Sequence, residues 1–393
     1  MKRIVVVGAS LAGLCTARAL RAYGFDGELV LVGAEAHRPY DRPPLSKEFL
    51  AGQYTEEDLT LEGDEEDLSA RWLLGRAATG LDPASRTVHL DGGATLPADG
   101  VVLATGAVAR ELPGHPRTGR PPGVHTLRTL EDARALRADL ASARRLVIVG
   151  AGFIGAEVAS TARTIGVDVT VVEALPTPLA APLGVAMGAA VAALHADHGT
   201  TLICGVGVDR LTAGGTGHVK GVDLRDGRHL PTDVVVVGVG SRPAVDWLAG
   251  SGLTVEGGVR CDAHGATGAP GIVAVGDCAS WYDPDLGVHH RTEHWTSARE
   301  RARTAAATLL GAAPPAPTPA YFWSDQYGVR IQFAGHALAG DDVGIEDGDV
   351  AGRSFLAVYR RAGRPVAVLG MNRTPAFSRW RRRLAAPLPL EAP

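Results

Sequence analysis

Two segments of the same design constrain the fold of this chain most. Residues 147–160 read VIVGAGFIGAEVAS, an apolar strand that runs into a glycine turn and a helix of small residues. Residues 5–17, VVVGASLAGLCTA, repeat this pattern. Such a turn lets backbone approach a pyrophosphate, and it aims a helix N-terminus at the phosphate charge. The repeat therefore predicts two dinucleotide-binding units.

The second unit carries the complete pattern. Gly150, Gly152 and Gly155 lie between the strand RLVIVG and the helix FIGAEVASTARTIG. The next strand, VDVTVVE, ends in Glu173, 18 residues after the last glycine, where a carboxylate can bind ribose hydroxyls. We interpret this segment as a nucleotide site. The alternative is a βαβ unit with a purely structural role.

The first unit has the same layout with one substitution. Gly8, Ser10 and Gly13 follow the strand KRIVVVG, and GELVLVGAE leads to Glu35. Serine at the middle position is still small enough for close approach of a phosphate. Two dinucleotide folds imply two dinucleotides, and so a flavin together with a nicotinamide.

Three further apolar strands end at small-residue turns. They are DGVVLATGAVAR (99–110), TDVVVVGVGSRP (232–243) and GIVAVGDCA (271–279), of which the last carries Asp277, a carboxylate suited to a ribityl hydroxyl. Each one alone is read most simply as a core strand with its turn. Their order along the chain favours turns that contact a cofactor.

Composition excludes several classes of protein. A net charge of −4 and 5% aromatic residues give no reason to expect nucleic-acid binding. Residues 350–390 nevertheless hold nine arginines and no lysine or acid, so the remainder carries −13 and a basic face is expected. MKRIVVVGASLAGLC resembles a signal peptide, but the glycine turn explains the same residues better. No apolar run is long enough for a membrane span, which needs about 18 residues.

The cysteines and histidines argue against a metal centre and a redox dithiol. Cys15, Cys204, Cys261 and Cys278 are scattered without a CxxC pair, which fits a reducing cytoplasm. His289, His290 and His294 have metal-like spacing, yet no carboxylate or cysteine cluster accompanies them. We expect no metal site.

The chain resembles the FAD-dependent, NADH-using ferredoxin reductases that serve haem-thiolate monooxygenases and ring-hydroxylating dioxygenases. The resemblance runs along essentially the whole chain. It rests on RPYDRPPLSKEFL (38–50), LRTLEDA (127–133), GDCA, EHW (293–295) and FWSDQYG (322–328). PYDRPPLSK and FWSDQYG are specific, whereas the glycine turns occur in every flavoprotein with two dinucleotide folds.

The resemblance implies an α/β, glutathione-reductase-like fold with two Rossmann-like domains and a C-terminal α+β domain. The FAD domain is expected over 1–112 and 240–311, the NAD domain over 113–239, and the C-terminal domain over 312–393. A Pro/Gly hinge at 113–123 and the stiff linker GAAPPAPTPA (311–320) mark two of the boundaries.

The resemblance also assigns cofactor-binding residues. For FAD they are Gly8, Ser10, Ala12, Gly13, Glu35, Arg42, Lys47, Ala78, Ala104, Thr105, Gly106, Arg128, Gly276, Asp277, Glu293, His294 and Trp295. For NADH they are Gly150, Gly152, Ile154, Gly155, Glu157, Glu173 and Gly240. At position 78 the family usually has a bulkier apolar residue, so a contact there runs through the backbone.

The implied activity is NADH:ferredoxin oxidoreductase, with hydride transfer to the flavin N5 and single-electron transfer to a 2Fe–2S ferredoxin. One alternative is a flavin disulfide reductase, which needs a cysteine where this chain has RPPLSKEF. Another is a non-catalytic flavoprotein that binds NADH and signals to a partner.

Lys47 and Glu157 are predicted to form a catalytic ion pair on the flavin N5 side. The cation would favour the anionic reduced flavin. The alternative for each residue is a plain surface charge.

The partner ferredoxin is expected to be acidic. HWTSARERARTAA predicts a helix that begins beside Trp295 and places Arg299 and Arg303 on one face for docking. Arg379, Arg381, Arg382 and Arg383 would widen the positive field. Alternatively these arginines pair with the acids of 341–349, DDVGIEDGD.

The first prediction concerns the nicotinamide cofactor. Glu173 would bond the adenosine ribose hydroxyls and repel a 2′-phosphate, and the following ALPTPLA offers no cation to receive one. We therefore expect kcat/KM to be much higher with NADH than with NADPH in steady-state assays. Comparable values for the two nucleotides would contradict the assignment.

Overall fold

The computed structural model describes residues 1–112, 114 and 119–385. Residues 113 and 115–118 of the predicted hinge and residues 386–393 of the predicted C-terminal domain lie outside the described residues. The described residues form six α-helices: α1 Leu11–Ala22, α2 Leu130–Leu140, α3 Phe153–Thr164, α4 Ala180–Asp197, α5 Trp295–Leu310 and α6 Thr374–Ala385.

The chain divides into two compact units. The first comprises Met1–Asp41, Leu59–Val108 and Ser241–Ala320, and the second comprises Arg42–Asp58, Ala109–Gly240 and Tyr321–Pro393. The segment Arg42–Asp58 therefore groups with the second unit, although the sequence interpretation kept it in the FAD domain. The three-domain division and its boundaries stay a prediction.

A five-stranded parallel sheet forms the core of the first unit. Its strands are, in spatial order, Ile272–Ala274, Gly100–Leu103, Arg3–Val7, Glu28–Gly33 and Ala70–Leu74. Valine, leucine and isoleucine dominate these strands because both faces of a parallel sheet are covered. Two smaller sheets complete the unit, one of Ala78–Asp82, Thr87–Leu90 and Thr95–Pro97, the other of Val259–Cys261, Ala279–Asp283 and Val288–His290. Short strands Ala107–Ala109 and Ser241–Pro243 also pair.

The second unit contains another five-stranded parallel sheet. Its order is Thr201–Cys204, Asp168–Glu173, Arg145–Val149, Val234–Val237 and Val124–His125. An antiparallel sheet of Val208–Ala213, Val219–Leu224 and His229–Pro231 adjoins it. Helix α2 begins with a reciprocal capping box between Thr129 and Asp132, the cap encoded by LRTLEDA.

The C-terminal part of the second unit is an antiparallel sheet with a helix on each face. The strands run in the order Tyr321–Gln326, Val329–Gly335, Arg364–Met371, Ser354–Arg361 and Asp342–Asp349. Helix α4 packs on one face through Leu183, Met187 and Leu194, and α6 packs on the other through Phe377. The predicted α/β class, with two parallel-sheet units and a C-terminal α+β domain, is confirmed.

Helix α4 is apolar and long enough, by length and composition, to cross a membrane. Gly184 leaves the helical conformation (φ 74°, ψ 162°), so the continuous helix after it is about 20 Å long, shorter than a hydrocarbon core of about 30 Å. Because its apolar side packs against the C-terminal sheet, α4 is a core helix.

Candidate functional site

In the first unit, the residues around the glycine turn pack so closely that three glycines have no room for a side chain. Gly8 has φ +122°, and a Cβ there would lie 2.0 Å from the Ala104 carbonyl oxygen. A Cβ on Gly13 would lie 1.8 Å from the Gly8 carbonyl oxygen. A Cβ on Gly276 would lie 2.9 Å from that of Ala12. The structure thus brings five residues that the sequence assigned to FAD, Gly8, Ala12, Gly13, Ala104 and Gly276, to one edge of the sheet.

The N-terminus of α1 points to the same edge. Ser10 is the N-cap in extended conformation, and its side chain makes no capping hydrogen bond. The first N–H groups of an α-helix have no acceptor within the helix. These N–H groups are therefore suited to bind phosphate oxygens. The small side chain of Ser10 was predicted to allow a phosphate to approach them.

The other residues assigned to FAD divide between the two units. Glu35, Ala78, Thr105, Gly106, Asp277, Glu293, His294 and Trp295 lie in the first unit, whereas Arg42, Lys47 and Arg128 lie in the second. Glu35 follows the strand Glu28–Gly33 by two residues and accepts a hydrogen bond from Tyr40 Oη at 2.5 Å. Ala78 begins a strand of a small antiparallel sheet instead of the parallel one.

Trp295 opens α5, as the sequence predicted, with His294 as the N-cap. Its indole N–H donates to Asp41 Oδ1 at 2.7 Å. Asp41 belongs to the PYDRPPLSK motif and Trp295 to EHW, so two of the motifs that carry the resemblance meet within the first unit. In the second unit, Arg42 Nη1 donates to the Arg128 carbonyl oxygen at 2.5 Å, which joins the same motif to LRTLEDA.

The glycine turn of the second unit is built like the first. Gly150 has φ +103°, and a Cβ there would lie 2.4 Å from the Gly238 carbonyl oxygen, while one on Gly155 would lie 2.3 Å from that of Gly150. Gly152, the N-cap of α3, differs: a Cβ there meets nothing within 4 Å among the described residues. Gly150 and Gly155 thus pack against backbone, whereas Gly152 faces open space. A dinucleotide could occupy that space.

Glu173 ends its strand beside this turn. Its carboxylate accepts hydrogen bonds from the backbone N–H groups of Ala151 and Leu175, both at 2.9 Å. The acid is thereby held next to the glycine turn, where a ribose would follow the pyrophosphate. Ile154 is 47% exposed and Gly240 is also exposed, so both lie at the surface.

Glu157 lies in a buried polar cluster of the second unit. Its side chain is 7% exposed, and Lys47 Nζ lies 2.8 Å from Oε2. Ser46 Oγ donates to the same oxygen at 2.5 Å, and Ser324 Oγ donates to Oε1 at 2.7 Å. The structure contains the ion pair predicted between Lys47 and Glu157, so neither side chain is a plain surface charge. Its catalytic role on the flavin N5 side stays a prediction. A buried ion pair is tolerated best when further hydrogen bonds satisfy the carboxylate, and here Oε2 accepts from Ser46 as well as Lys47 while Oε1 accepts from Ser324.

Sequence reasoning missed the two serines that complete this cluster. Ser46 precedes Lys47 in RPPLSKEF, and Ser324 is the serine of FWSDQYG, so both lie inside motifs already singled out as specific. No periodicity or spacing connects residues 46, 157 and 324. Only the packing of Tyr321–Gln326 against α3 does so.

The predicted docking arginines lie on α5. Arg299 and Arg303 are both exposed, four residues apart, and the Arg299 guanidinium lies over the Trp295 ring at 4.8 Å from its centroid. The acids of 341–349 pair with other arginines: Asp341 with Arg361, Glu346 with Arg360, and Asp347 with Arg373.

The arginines of α6 make contacts of a different kind. Arg381 lies over Tyr321 and Arg383 over Trp380. Both are cation–π contacts, which leave the positive charge in place. The expected pairing with the acids of 341–349 is seen for three arginines that precede α6, Arg360, Arg361 and Arg373.

The cysteines of this protein are not built for thiol chemistry. All four are free, and burial raises the pKa of each, that of Cys261 to about 12. A disulfide reductase needs a thiolate at neutral pH, which requires the opposite shift. Among the residues that the structure describes, no group of three histidines, cysteines or acids is arranged to hold a metal ion.

Comparison with known proteins identifies the family. Residues 2–302 match the model of the pyridine nucleotide-disulphide oxidoreductases, and residues 321–392 match the reductase C-terminal domain. The chain is 37% identical to the ferredoxin reductase component of chlorobenzene dioxygenase from Cupriavidus sp., over 99% of this chain and 93% of that protein. It is also 37% identical to the ferredoxin–NAD(+) reductase component of the biphenyl dioxygenase system of Paraburkholderia xenovorans, over 95% of this chain and 91% of that protein.

The chain belongs to the ferredoxin–NAD(+) reductase family. A solved structure agrees: the crystal structure of the covalent putidaredoxin reductase–putidaredoxin complex has a TM-score of 0.94 at 33% identity, over 98% of this chain and 93% of that one. The resemblance read from PYDRPPLSK and FWSDQYG is thus confirmed. The protein is an oxidoreductase of this family, and members of the family serve both dioxygenase and monooxygenase systems.

The second prediction compares two glycines of the same turn. Gly155→Ala places a Cβ 2.3 Å from backbone, so it should lower the free energy of unfolding by several kcal/mol, roughly as overpacking of a core does. Gly152→Ala meets nothing, so it should keep the stability but weaken NADH binding at least tenfold, because the methyl group occupies the open cradle. Thermal denaturation and NADH titration test both. A Gly152→Ala variant with unchanged NADH affinity would show that the cradle lies elsewhere.

Proposed function

We propose that this protein transfers electrons from NADH, through a bound FAD, to an acidic 2Fe–2S ferredoxin that feeds a ring-hydroxylating dioxygenase or a haem-thiolate monooxygenase. One observation carries the proposal: each unit contains a parallel sheet whose glycine turn opens a helix, in a chain that matches ferredoxin reductases along its full length. The activity requires two dinucleotide sites. We propose that they lie in separate domains, with the FAD, NAD and C-terminal boundaries expected from the sequence.

The first unit is proposed to hold FAD. The close approach at Gly8, Gly13 and Ala104 leaves the uncapped N-terminus of α1 for the pyrophosphate, and Glu35 supplies a carboxylate for a ribose. Asp277, three residues beyond Ile272–Ala274, supplies the carboxylate expected at the ribityl chain. When bound, FAD accepts a hydride from NADH and releases the electrons singly.

The second unit is proposed to hold NADH. Gly152 leaves the cradle open, and Glu173 is kept beside it by two backbone donors. An acid so placed accepts hydrogen bonds from ribose hydroxyls and repels an additional phosphate. These residues support the preference for NADH over NADPH.

Lys47 and Glu157 are proposed to act through a fixed charge. Lys47 is held by Glu157, so its ammonium group needs no reorganisation when negative charge develops nearby. Glu157 in turn prevents Lys47 from adopting other rotamers. The chain's contribution is to place and orient this cation.

The partner is proposed to be acidic and to dock near α5. Arg299 and Arg303 are exposed on one helix face, and Arg303 forms no ion pair with the described residues. Complementary charge raises the encounter rate and orients the partner. The four free cysteines are consistent with a cytoplasmic protein.

One assay separates this proposal from a non-catalytic NADH-binding flavoprotein. The purified protein with FAD should reduce a 2Fe–2S ferredoxin with NADH and, through it, cytochrome c. Many turnovers per enzyme are expected. Cofactor binding without turnover on any acidic ferredoxin would favour the signalling role.

The third prediction concerns Lys47→Ala. Loss of a fixed cation should lower the flavin midpoint potential and slow its reduction by NADH about tenfold or more, the range for one preorganised charge. Stopped-flow absorbance and redox titration measure both. Lys220→Ala, at an exposed lysine of the second unit, is the matched control. Unchanged potential and rate in Lys47→Ala would refute the role.

The fourth prediction concerns docking. KM for ferredoxin should rise steeply between low and high salt, because exposed charges are screened within about 8 Å at physiological ionic strength. Arg303→Glu should impair ferredoxin reduction while NADH:ferricyanide activity stays near normal. If both activities fell together, Arg303 would belong to the fold or the flavin site.

A further inference from the structure

The carboxylate of Glu157 is held from two directions within the second unit. On one side, Ser46 and Lys47 donate to Oε2. The segment that carries them is itself fixed to α3, since Thr161 Oγ1 donates to the Ser46 carbonyl oxygen at 2.8 Å. On the other side, Ser324 donates to Oε1. This last donor comes from the C-terminal sheet, more than 160 residues along the chain.

Ser324 has a defined hydroxyl direction. It is completely buried, and Gln326 Nε2 donates to its oxygen at 3.1 Å. Ser324 and Gln326 are two apart on one strand, so their side chains share a face of the sheet. Because the Ser324 oxygen already accepts a hydrogen bond from Gln326, its hydroxyl proton is directed to Glu157. A hydroxyl that both accepts and donates in this way fixes the carboxylate plane more firmly than a freely rotating one.

The strand that carries Ser324 is anchored next to the carboxylate. Tyr327, in the left-handed region at φ 53°, donates its backbone N–H to Ser160 Oγ at 2.7 Å. Its hydroxyl lies 2.9 Å from both His195 Nδ1 and Thr200 Oγ1. Burial lowers the pKa of His195 to about 4 and raises that of Tyr327, so this anchor is uncharged at neutral pH. Two residues of α3 thus contact the hairpin. Glu157 accepts a hydrogen bond from Ser324, and Ser160, three residues later, accepts one from Tyr327.

We propose that Ser324, oriented by Gln326, is a positioning residue that holds Glu157 in the rotamer which secures Lys47. The C-terminal sheet thereby contributes to the placement of Lys47. Only the effect expected on the flavin rests on the proposed function. The positioning itself concerns Lys47 and is measured on the protein alone.

The chain offers a clean reporter, because it contains three lysines, Lys2, Lys47 and Lys220. Lys2 and Lys220 are exposed, whereas the Lys47 side chain is 12% exposed. Limited acetylation of the purified full-length protein, followed by peptide mass spectrometry, gives the rate at each lysine. The two exposed lysines are internal standards.

Ser324→Ala should raise the acetylation rate of Lys47 about fivefold relative to Lys220, the factor that corresponds to one buried hydrogen bond of about 1 kcal/mol. Ser324→Thr restores the hydroxyl and should return the rate towards wild type. Tyr327→Phe is the matched control. It removes a half-buried hydroxyl of the same hairpin but leaves every donor to Glu157, so Lys47 should stay protected.

The second readout is the flavin midpoint potential of the reconstituted protein. Ser324→Ala should shift it in the same direction as Lys47→Ala and by less. It should add nothing in the Lys47→Ala background, as expected for residues that act through one another. Tyr327→Phe should leave the potential at the wild-type value even where the melting temperature falls.

Two outcomes overturn the proposal. One is unchanged Lys47 acetylation in Ser324→Ala, and the other is an equal increase in Tyr327→Phe, which would indicate general loosening of the hairpin. If the threonine of Ser324→Thr is too large for the site, a lower melting temperature will show it. The comparison of Ser324→Ala with Tyr327→Phe then still tests the proposal. If acetylation changes as expected while Lys47→Ala itself leaves the potential unchanged, the positioning stands and the role proposed for Lys47 fails.

Discussion

The packing of a helix directly onto its own strand is the constraint on which this structure depends. In both units a glycine at the end of the first strand and another in the following helix approach backbone to within about 2 Å of where a side chain would begin. Any larger residue would force helix and strand apart. The crossing orients the N-termini of α1 and α3 towards the carboxyl edges of their sheets, where ligands bind in open α/β folds. The same close packing that stabilises each unit therefore supports the nucleotide site proposed for it, and in the second unit the open middle position, Gly152, leaves room for a ligand.

The buried Glu157 cluster is the second feature that organises the second unit. A carboxylate and an ammonium group taken out of water are costly unless every polar atom is satisfied. Here the donors come from the 43–47 segment and from the C-terminal sheet, so the ion pair ties both to α3. We infer that the cluster is retained for the placement of one charge. A hydrophobic replacement of similar volume often matches such a pair in stability, but it cannot supply a fixed cation.

The surface arginines near the C-terminus fall into two groups, those paired with acids and those stacked on aromatic rings. The arginine-rich end, which stands out in composition, is partly balanced by the acids of 341–349 through Arg360, Arg361 and Arg373. Arg381 and Arg383 of α6 instead lie over aromatic rings, and Arg299 lies over Trp295. Cation–π contacts hold these side chains in place without removing their positive charge. A count of charges along the sequence cannot distinguish these two situations, because it does not say which arginine meets which acid.

The sequence alone determined the two parallel-sheet units, the glycine turns, the start of α5 at Trp295 and the family, because these follow from local patterns of residues within a few turns of chain. It also suggested that Lys47 and Glu157 pair, from the place of Glu157 two residues after the last glycine and of Lys47 in the PPLSK loop. Only the tertiary structure decided what surrounds that pair. Ser324 and Gln326 are ordinary polar residues in sequence, and the role proposed for them arises because the 321–326 strand folds back onto α3 from more than 160 residues away. Ser46 reaches the same carboxylate from the 43–47 segment. Likewise, Gly152 and Gly155 look equivalent in the motif, yet one faces open space and the other faces backbone. Local patterns encode elements, whereas the hydrogen bonds of a buried charge depend on which distant elements the packing brings together.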